Sequence, residues 1–278
     1  MTISRLKRKA TKGLLLLVLA LTYVFLFLPL VHIGIAAFAR NFTYPYPPLW
    51  TLETVANMFA NNLYRTSLLN SFILGLGSAV IATVFSTIAT FGLLRYAGRH
   101  VAKFVLLFMA PLFVAEVLLG ISSSILGGFF LQIPGNLISA MLANSIHCFS
   151  FALLIMATQL YRYDWRLDEA AMVFGASPAQ TFFEVTLPLI WPGLLSAFII
   201  SLILSFNNLE ISFYLLGATP TLPSMAWGAL RHGIKPELYA LATVVNIVVF
   251  VILAVIFVLM KTGSVKFGYR PERESSIV

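Results

Sequence analysis

Two carboxylic acids and one imidazole lie inside long apolar runs of this sequence. Glu116, His147 and Glu210 are each surrounded by side chains of the kind that face lipid. An ionisable group inside a membrane costs from about 2.5 kcal/mol upward, so it normally faces a cavity or a partner group. Carboxylates in such places attract cations. These acids are therefore candidates for the lining of a path across a membrane.

The fifth apolar run, residues 189–217, carries the strongest candidate path. On a continuous helix Asn207 and Glu210 are three residues apart and share one face. Phe206 and Asn208 lie beside that face. We predict that these four residues contact a translocated solute, together with Glu116 in the third apolar run.

Structural roles are open for the same side chains. Glu210 could instead lie near the outer boundary, pair with Arg231 or Lys235, and only close the helix bundle. Glu116, near the middle of its run, could be a hydrogen-bonded structural acid. A single histidine in a span is more often a packing residue than a ligand, and we interpret His147 in that way.

No pattern in the sequence is typical of an enzyme or a metal site. HExxH, CxxC and paired catalytic carboxylates do not occur, and the only cysteine, Cys148, lies in an apolar run. There is also no GxxxxGK[ST] loop for ATP. We predict a chain that binds no metal or cofactor itself, so energy for any pumping must come from a partner.

The composition identifies the solvent of this chain as lipid. Of its 278 residues 60% are hydrophobic and 10% are charged, and its mean hydropathy is +0.94. Soluble domains carry about 25% charged residues. The net charge of +8 fits the excess of basic residues in the cytoplasmic loops of membrane proteins better than nucleic-acid binding.

Six apolar runs are long enough to cross about 30 Å of hydrocarbon as helices. The N-terminal, 95–103, 161–188 and C-terminal segments hold 5, 3, 2 and 4 basic residues, while the opposite segments hold four in all. This asymmetry predicts that both termini and the 161–188 loop are cytoplasmic. The predicted spans are 13–38, 67–94, 103–127, 137–160, 189–217 and 238–260.

The 161–188 loop carries the clearest local pattern outside the spans. Asp168-Glu169 begins a helical turn, where acids favour the positive end of the helix dipole. Gly175 breaks this helix, and Ser177 can cap a second helix that begins at Pro178 and ends before Pro188. A helix pair this short needs something to pack on. It either docks on a partner protein or is a tight connector lying on lipid headgroups.

This loop resembles a known motif. Glu169-Ala170-Ala171-x-x-x-Gly175-x9-Val185-x-Leu187-Pro188 resembles the EAA motif of permease subunits of type I ABC importers, with Val185 where the family has Ile. The resemblance implies that the loop is a coupling helix that fits a groove of the ATP-hydrolysing subunit. It implies ATPase-coupling roles for a set of loop residues, namely Asp168, Glu169, Ala170, Ala171, Gly175, Ser177 and Pro188.

The resemblance also covers most of residues 66–260. Leu69-Asn-Ser71, the 205–212 segment Ser-Phe-Asn-Asn-Leu-Glu-Ile-Ser and the 234–242 segment are similar to the second permease of the spermidine/putrescine branch. Polyamine permeases tend to have acids where this chain has Asn207 and Asn208. Importers of opines, other amino-acid-derived solutes or ferric iron are therefore the alternative within the same architecture.

The resulting prediction is an all-α, polytopic membrane protein with the type I ABC importer fold and one permease domain, residues 1–278. The implied partners are a second permease in a heterodimer, two ATPase subunits that bind ATP and Mg, and an extracytoplasmic binding protein. The implied location is the bacterial inner membrane. A secondary transporter or channel would be self-sufficient and usually shows an internal repeat, and no clear repeat is seen. An intramembrane enzyme would need a catalytic cluster within the spans, where the sequence offers only isolated acids and one histidine.

Overall fold

The chain is built from helices, as predicted. The computed structural model describes residues 2–39, 49–217, 219–233 and 235–261, and these contain no β-strand. The C-terminal basic residues used to predict the orientation fall after this range, apart from Lys261. In chain order the helices are α1 (Thr2–Ala37), α2 (Glu53–Ala60), α3 (Asn62–Tyr96), α4 (Val101–Phe108), α5 (Glu116–Ile125), α6 (Leu137–Tyr161), α7 (Arg166–Val173), α8 (Pro178–Thr181), α9 (Leu187–Phe206), α10 (Glu210–Leu216), α11 (Leu222–His232) and α12 (Pro236–Lys261).

Several of these helices are long and apolar enough to cross a membrane. Within the described residues four helices meet this test, and one bent pair makes a fifth span if its two halves are counted together. The four are Thr11–Ala37, Asn62–Tyr96, Leu137–Tyr161 and Pro178–Phe206. In α12 the apolar stretch assessed as a span is shorter, Pro236–Val251. The structure therefore describes a multi-pass membrane protein with four or five such spans.

The predicted third span, 103–127, is not one straight helix. Two halves, Gly98–Phe113 and Glu116–Phe130, meet at an angle of 90°. Pro111 has no N–H to donate, and the chain becomes extended at Val114 (ψ 130°) and Ala115 (ψ 135°). Glu116 therefore begins α5 rather than lying in mid-span, and its acid is at the favourable end of the helix dipole.

The predicted fifth span, 189–217, is also broken. Helix α9 ends at Phe206 and α10 begins at Glu210. The side chains of Asn207 and Asn208 form hydrogen bonds with the backbone at the point where the helix stops. Asn207 Nδ2 donates to Ile203 O at 3.0 Å, and Ile211 N donates to Asn208 Oδ1 at 2.9 Å. Asparagine side chains compete with helical hydrogen bonds in this way.

The described residues divide into two compact units, those within 1–64 and 229–261 and those within 65–228. In the first unit α1 packs on α12, where the rings of Phe27 and Phe250 are 6.5 Å apart and Thr243 Oγ1 donates to Ile33 O at 3.3 Å. The second unit holds the loop of residues 161–188 and the polar residues of the broken spans. The single-domain assignment for 1–278 remains a prediction.

The core of the second unit forms where α6 packs against α9 and α10. Ala152, Met156 and Leu160 of α6 are fully buried against Ile190 and Ala197 of α9. A second cluster contains Leu74, Ala140, Ala143, Ile211, Leu215 and Leu216. The first cluster joins α6 and α9, the helices on either side of the 161–188 loop. The second contains residues of α10, which follows the break at residues 207–209. This packing fixes the positions of the loop and of the break.

Candidate functional site

The 161–188 loop folds as a helix, a glycine turn and a second helix, as predicted. Helix α7 ends before Gly175, whose φ of +93° lies in the region that favours glycine. Ser177 caps α8, because Gln180 N donates to its Oγ at 3.3 Å and its own N–H donates to Gln180 Oε1 at 2.8 Å. Pro178 takes the first position of α8.

The second helix of the loop does not end before Pro188, contrary to the prediction. It passes through a π-helical turn, Phe182–Thr186, directly into α9. Pro188 lies in the first turn of α9, and the shifted hydrogen bonds of the π turn accommodate its missing N–H. The second helix of the loop and the part of the fifth predicted span before its break thus form one continuous helical rod, Pro178–Phe206.

Asp168 holds the two arms of the loop together from inside. It is only 5% exposed, and its Oδ1 accepts hydrogen bonds from Tyr163 Oη and from Thr186 Oγ1, the latter at 2.9 Å. Buried carboxylates are stable when they are fully hydrogen-bonded. Asp168 therefore positions the loop, and neither Tyr163 nor Thr186 was identified from the sequence.

Tyr163 should make the loop sensitive to alkaline pH. Burial and the hydrogen bond to Asp168 raise the pKa of Tyr163 from 10.0 to about 12. A raised folded pKa means stability that is complete below pH 10 and lost as the pH rises towards about 12. We expect the melting temperature of the chain to fall over this interval, and the Tyr163→Phe variant to show a smaller fall. Equal falls in both proteins would contradict this role.

The outward face of α7 presents acidic and apolar groups together. Glu169 and Ala170 are exposed and Ala171 is half-buried, while Val173 and Phe174 are 84% and 91% exposed. Neither Val173 nor Phe174 was identified from the sequence, since large apolar residues are common throughout a membrane protein and only the structure shows that these two lie at the end of a loop.

A groove adjoins this face. It has a volume of about 230 Å³ and is lined by Leu94, Arg95, Trp165, Asp168 and Glu169. Its lining combines the carboxylates of Asp168 and Glu169 and the basic side chain of Arg95 with the apolar side chains of Leu94 and Trp165. We name Glu169, Ala170, Val173 and Phe174 the loop apex.

A second polar cluster joins the two broken spans. Asn208 Nδ2 donates to Glu116 Oε2 at 2.5 Å, and His147 Nε2 lies 3.3 Å from Glu116 Oε1. Gly120 lets α10 approach α5 closely, because a Cβ there would lie 3.1 Å from Glu210 O. The predicted path residues Glu116 and Asn208 are thus brought together, with His147 as a partner that the sequence analysis treated as packing.

The other predicted path residues do not form the expected face. Asn207 lies in the break and Glu210 begins the next helix, so no continuous helix joins them and the shared helical face proposed for them is wrong. Asn207 is exposed and turned back towards α9, and Phe206 packs edge-on against Phe72 at 5.3 Å. The pairing of Glu210 with Arg231 or Lys235 remains a prediction.

Comparison with known proteins gives a consistent result. Residues 101–262 match the family described as "Binding-protein-dependent transport system inner membrane component". The "Putrescine transport system permease protein PotI" of Escherichia coli K12 is 26% identical over 237 residues, which cover 83% of this chain and 84% of that protein.

Two further relatives extend the comparison. The "Spermidine/putrescine transport system permease protein PotC" of Haemophilus influenzae is 26% identical, covering 67% of this chain and 73% of that protein. A solved structure described as a "bacterial ABC transporter involved in the import of the acidic polysaccharide alginate" matches with a TM-score of 0.68 and 17% identity, over 94% of this chain and 98% of its own. That likeness concerns the fold.

Proposed function

Because this chain belongs to the family of binding-protein-dependent transport system inner membrane components, we propose that it is a permease subunit of an ABC importer for polyamines. Membership confirms the resemblance inferred from the Glu169–Pro188 motif. The chain is a transport subunit of the inner membrane and not an enzyme, since ATP hydrolysis belongs to other subunits of such transporters.

The loop apex is the observation that carries the coupling part of the proposal. Phe174, at 91% exposure, projects from a short helix pair whose inner side is fixed by Asp168. A small loop with a rigid inner side and an exposed aromatic tip has the form of a docking element. We assign its occupant as the ATP-hydrolysing subunit, with Phe174 as anchor and Glu169 as partner for a basic residue.

The continuous rod Pro178–Phe206 supports a mechanism of alternating access. At 1.5 Å per residue its 29 residues span about 43 Å. The rod begins shortly after the loop apex and ends at Phe206, two residues before Asn208 of the polar cluster. Closure of the ATPases on ATP would move the apex, and the rod would carry that motion to the solute path. Gly175 and Ser177 set the angle at which the rod begins.

Two observations support a polyamine as the solute, namely the polyamine permeases among the relatives and the negative charge of two side chains. Glu116 and Glu210 provide carboxylates near the breaks of the spans, and amines bind carboxylates by charge-assisted hydrogen bonds. Asn207 and Asn208 reduce the negative charge there. Opines, other amino-acid-derived solutes and ferric iron are therefore the alternatives that the experiment must separate.

The complete proposal places this chain in a larger assembly. Six spans would cross the inner membrane with both termini and the loop on the cytoplasmic side, in one permease domain. A related permease would complete a heterodimer, two ATPase subunits would bind ATP and Mg, and a binding protein would deliver solute from outside. The family and the fold support this assembly.

The test is ATP hydrolysis by the complex in nanodiscs, with the binding protein loaded in turn with spermidine, putrescine, an opine and ferric iron. Stimulation by the polyamines is the expected result. Stimulation only by another solute would keep the importer and overturn the polyamine assignment. No stimulation and no association with an ATPase would overturn both.

A further inference from the structure

We propose that Asn208 is an internal competitor for the carboxylate of Glu116, and that an ammonium group of the solute displaces it. This inference rests on the proposed importer function and narrows its solutes to organic cations. In the structure, the amide of Asn208 occupies one oxygen of Glu116 and the imidazole of His147 lies beside the other. The carboxylate is thus already held by groups of the chain itself.

The burial of the three residues is unequal. The side chain of His147 is 9% exposed and that of Glu116 is 36% exposed, while Asn208 as a whole residue is 5% exposed. A ligand can therefore approach the carboxylate without unpacking a helix. It must then compete with the Asn208 amide for the same oxygen.

An ammonium group is the ligand that wins this competition. The bond from the Asn208 amide to the Glu116 carboxylate has one charged partner, whereas a bond from an ammonium has two and adds the direct attraction of opposite charges. The neutral amide of Asn208 therefore binds Glu116 less strongly than an ammonium does. An ammonium displaces the amide, and a neutral or anionic solute does not. Glu116 would favour cations by its charge, while Asn208 would exclude solutes that bind the carboxylate no more tightly than an amide does.

The displaced amide has a second connection. Asn208 Oδ1 accepts from Ile211 N in the first turn of α10, so one side chain bridges α5 and α10 at the end of α9. Release from Glu116 would remove the link to α5 and leave the cap of α10 intact. The break at residues 207–209 would then be free to move with the rod Pro178–Phe206, which links solute arrival to the loop.

His147 acts as a positioning residue for Glu116. Its Nε2 faces the carboxylate, and its buried Nδ1 has no hydrogen-bond partner among the described residues. The imidazole packs edge-on against Phe151 at 5.5 Å, which fixes its orientation. It therefore keeps Glu116 Oε1 in place whether Asn208 or a solute holds the other oxygen.

The test uses the complete complex in proteoliposomes, with the binding protein saturated with spermidine. Glu116→Gln should lower the turnover of spermidine import about tenfold or more, because the bond to the ammonium loses its charge. The apparent KM should stay unchanged, since the binding protein sets it. In the same complex without its binding protein, Asn208→Ser keeps a cap oxygen for Ile211 and removes the amide that competes for Glu116, so spermidine should bind at least about threefold more tightly than to wild type.

Two comparisons separate displacement from a structural role. Asn136→Ala removes a helix cap on α6 without touching Glu116, and it should match wild type in turnover even if its melting temperature falls. His147→Ala should lower turnover in the wild-type background and add nothing to Glu116→Gln, because both act through one carboxylate. His147→Gln, which keeps a donor, should restore part of the loss.

The contradicting outcomes are specific. If wild type imports spermidine and Glu116→Gln does so at the same turnover, displacement at Glu116 is wrong while the importer stands. Unchanged or weaker spermidine binding by a folded Asn208→Ser complex overturns the proposal by itself, because the amide would then not compete for Glu116. If the wild-type complex imports no spermidine, the proposed solute class has failed.

Discussion

The Phe174→Asp variant should assemble in the membrane but lose its ATPase subunit. Phe174 is 91% exposed and contributes nothing to the core, so the fold and melting temperature should be preserved. A buried aromatic anchor in an interface contributes about 2–4 kcal/mol, so association should weaken by about 30- to 1000-fold. Co-purification of the ATPase and ATP-dependent uptake measure the loss.

Phe129→Asp is the matched control. Phe129 is similarly exposed and lies in the segment predicted to face outside. This variant should retain the ATPase. Equal retention by both variants would contradict the docking role of the loop apex, and equal loss would mean that an exposed acid is simply not tolerated.

Gly175→Val should abolish most uptake through backbone strain alone. A Cβ at Gly175 meets nothing within 4 Å, so no side-chain clash is involved. Its φ of +93° is strongly disfavoured for a β-branched residue, at a cost of about 1–2 kcal/mol or more. The turn should open, the apex should move relative to the rod, and uptake should fall at least about tenfold.

Gly98→Val tests whether strain by itself is responsible. Gly98 also has a positive φ, +48°, with open space around it, but it lies between α3 and α4. A similar strain there should leave ATPase association intact. If Gly98→Val and Gly175→Val reduce uptake equally, the turn at Gly175 has no special role in coupling.

The local features of the loop could be predicted from the sequence because each depends on neighbouring residues. Gly175 interrupts a helix, Ser177 and Gln180 form a reciprocal cap, and Pro178 fits the first helical position. The pattern of apolar runs likewise identifies membrane helices. The predicted end of the second helix of the loop was wrong, because no residue type marks the π turn that continues this helix into α9.

The breaks in the spans were missed for a related reason. Hydropathy averages over a long window, so 103–127 and 189–217 each count as one apolar run although the second contains polar residues at its break. Pro111, Asn207 and Asn208 were visible in the sequence, but whether such residues bend, cap or end a helix depends on the backbone groups they meet.

The contacts of the polar cluster depend on residues far apart in the chain. Glu116 and Asn208 are 92 residues apart, and no periodicity relates them. His147 looked like a packing residue because its helix is apolar, and only the approach of α5 to α6 reveals the carboxylate beside it. In the same way Asp168 appeared to be a docking acid until Tyr163 and Thr186 were found to enclose it.

The most direct measurement of the central claim is site-specific crosslinking at the loop apex. Cys148, the only cysteine, is buried, so a Phe174→Cys variant carries one accessible thiol, and Phe129→Cys places it on the predicted opposite side. In reconstituted membranes, a short thiol crosslinker should join Phe174→Cys to the ATP-hydrolysing subunit and leave Phe129→Cys unlinked to it. If Phe174→Cys is captured only by lipid while the complex is active, the loop is a connector lying on headgroups and the coupling account is wrong.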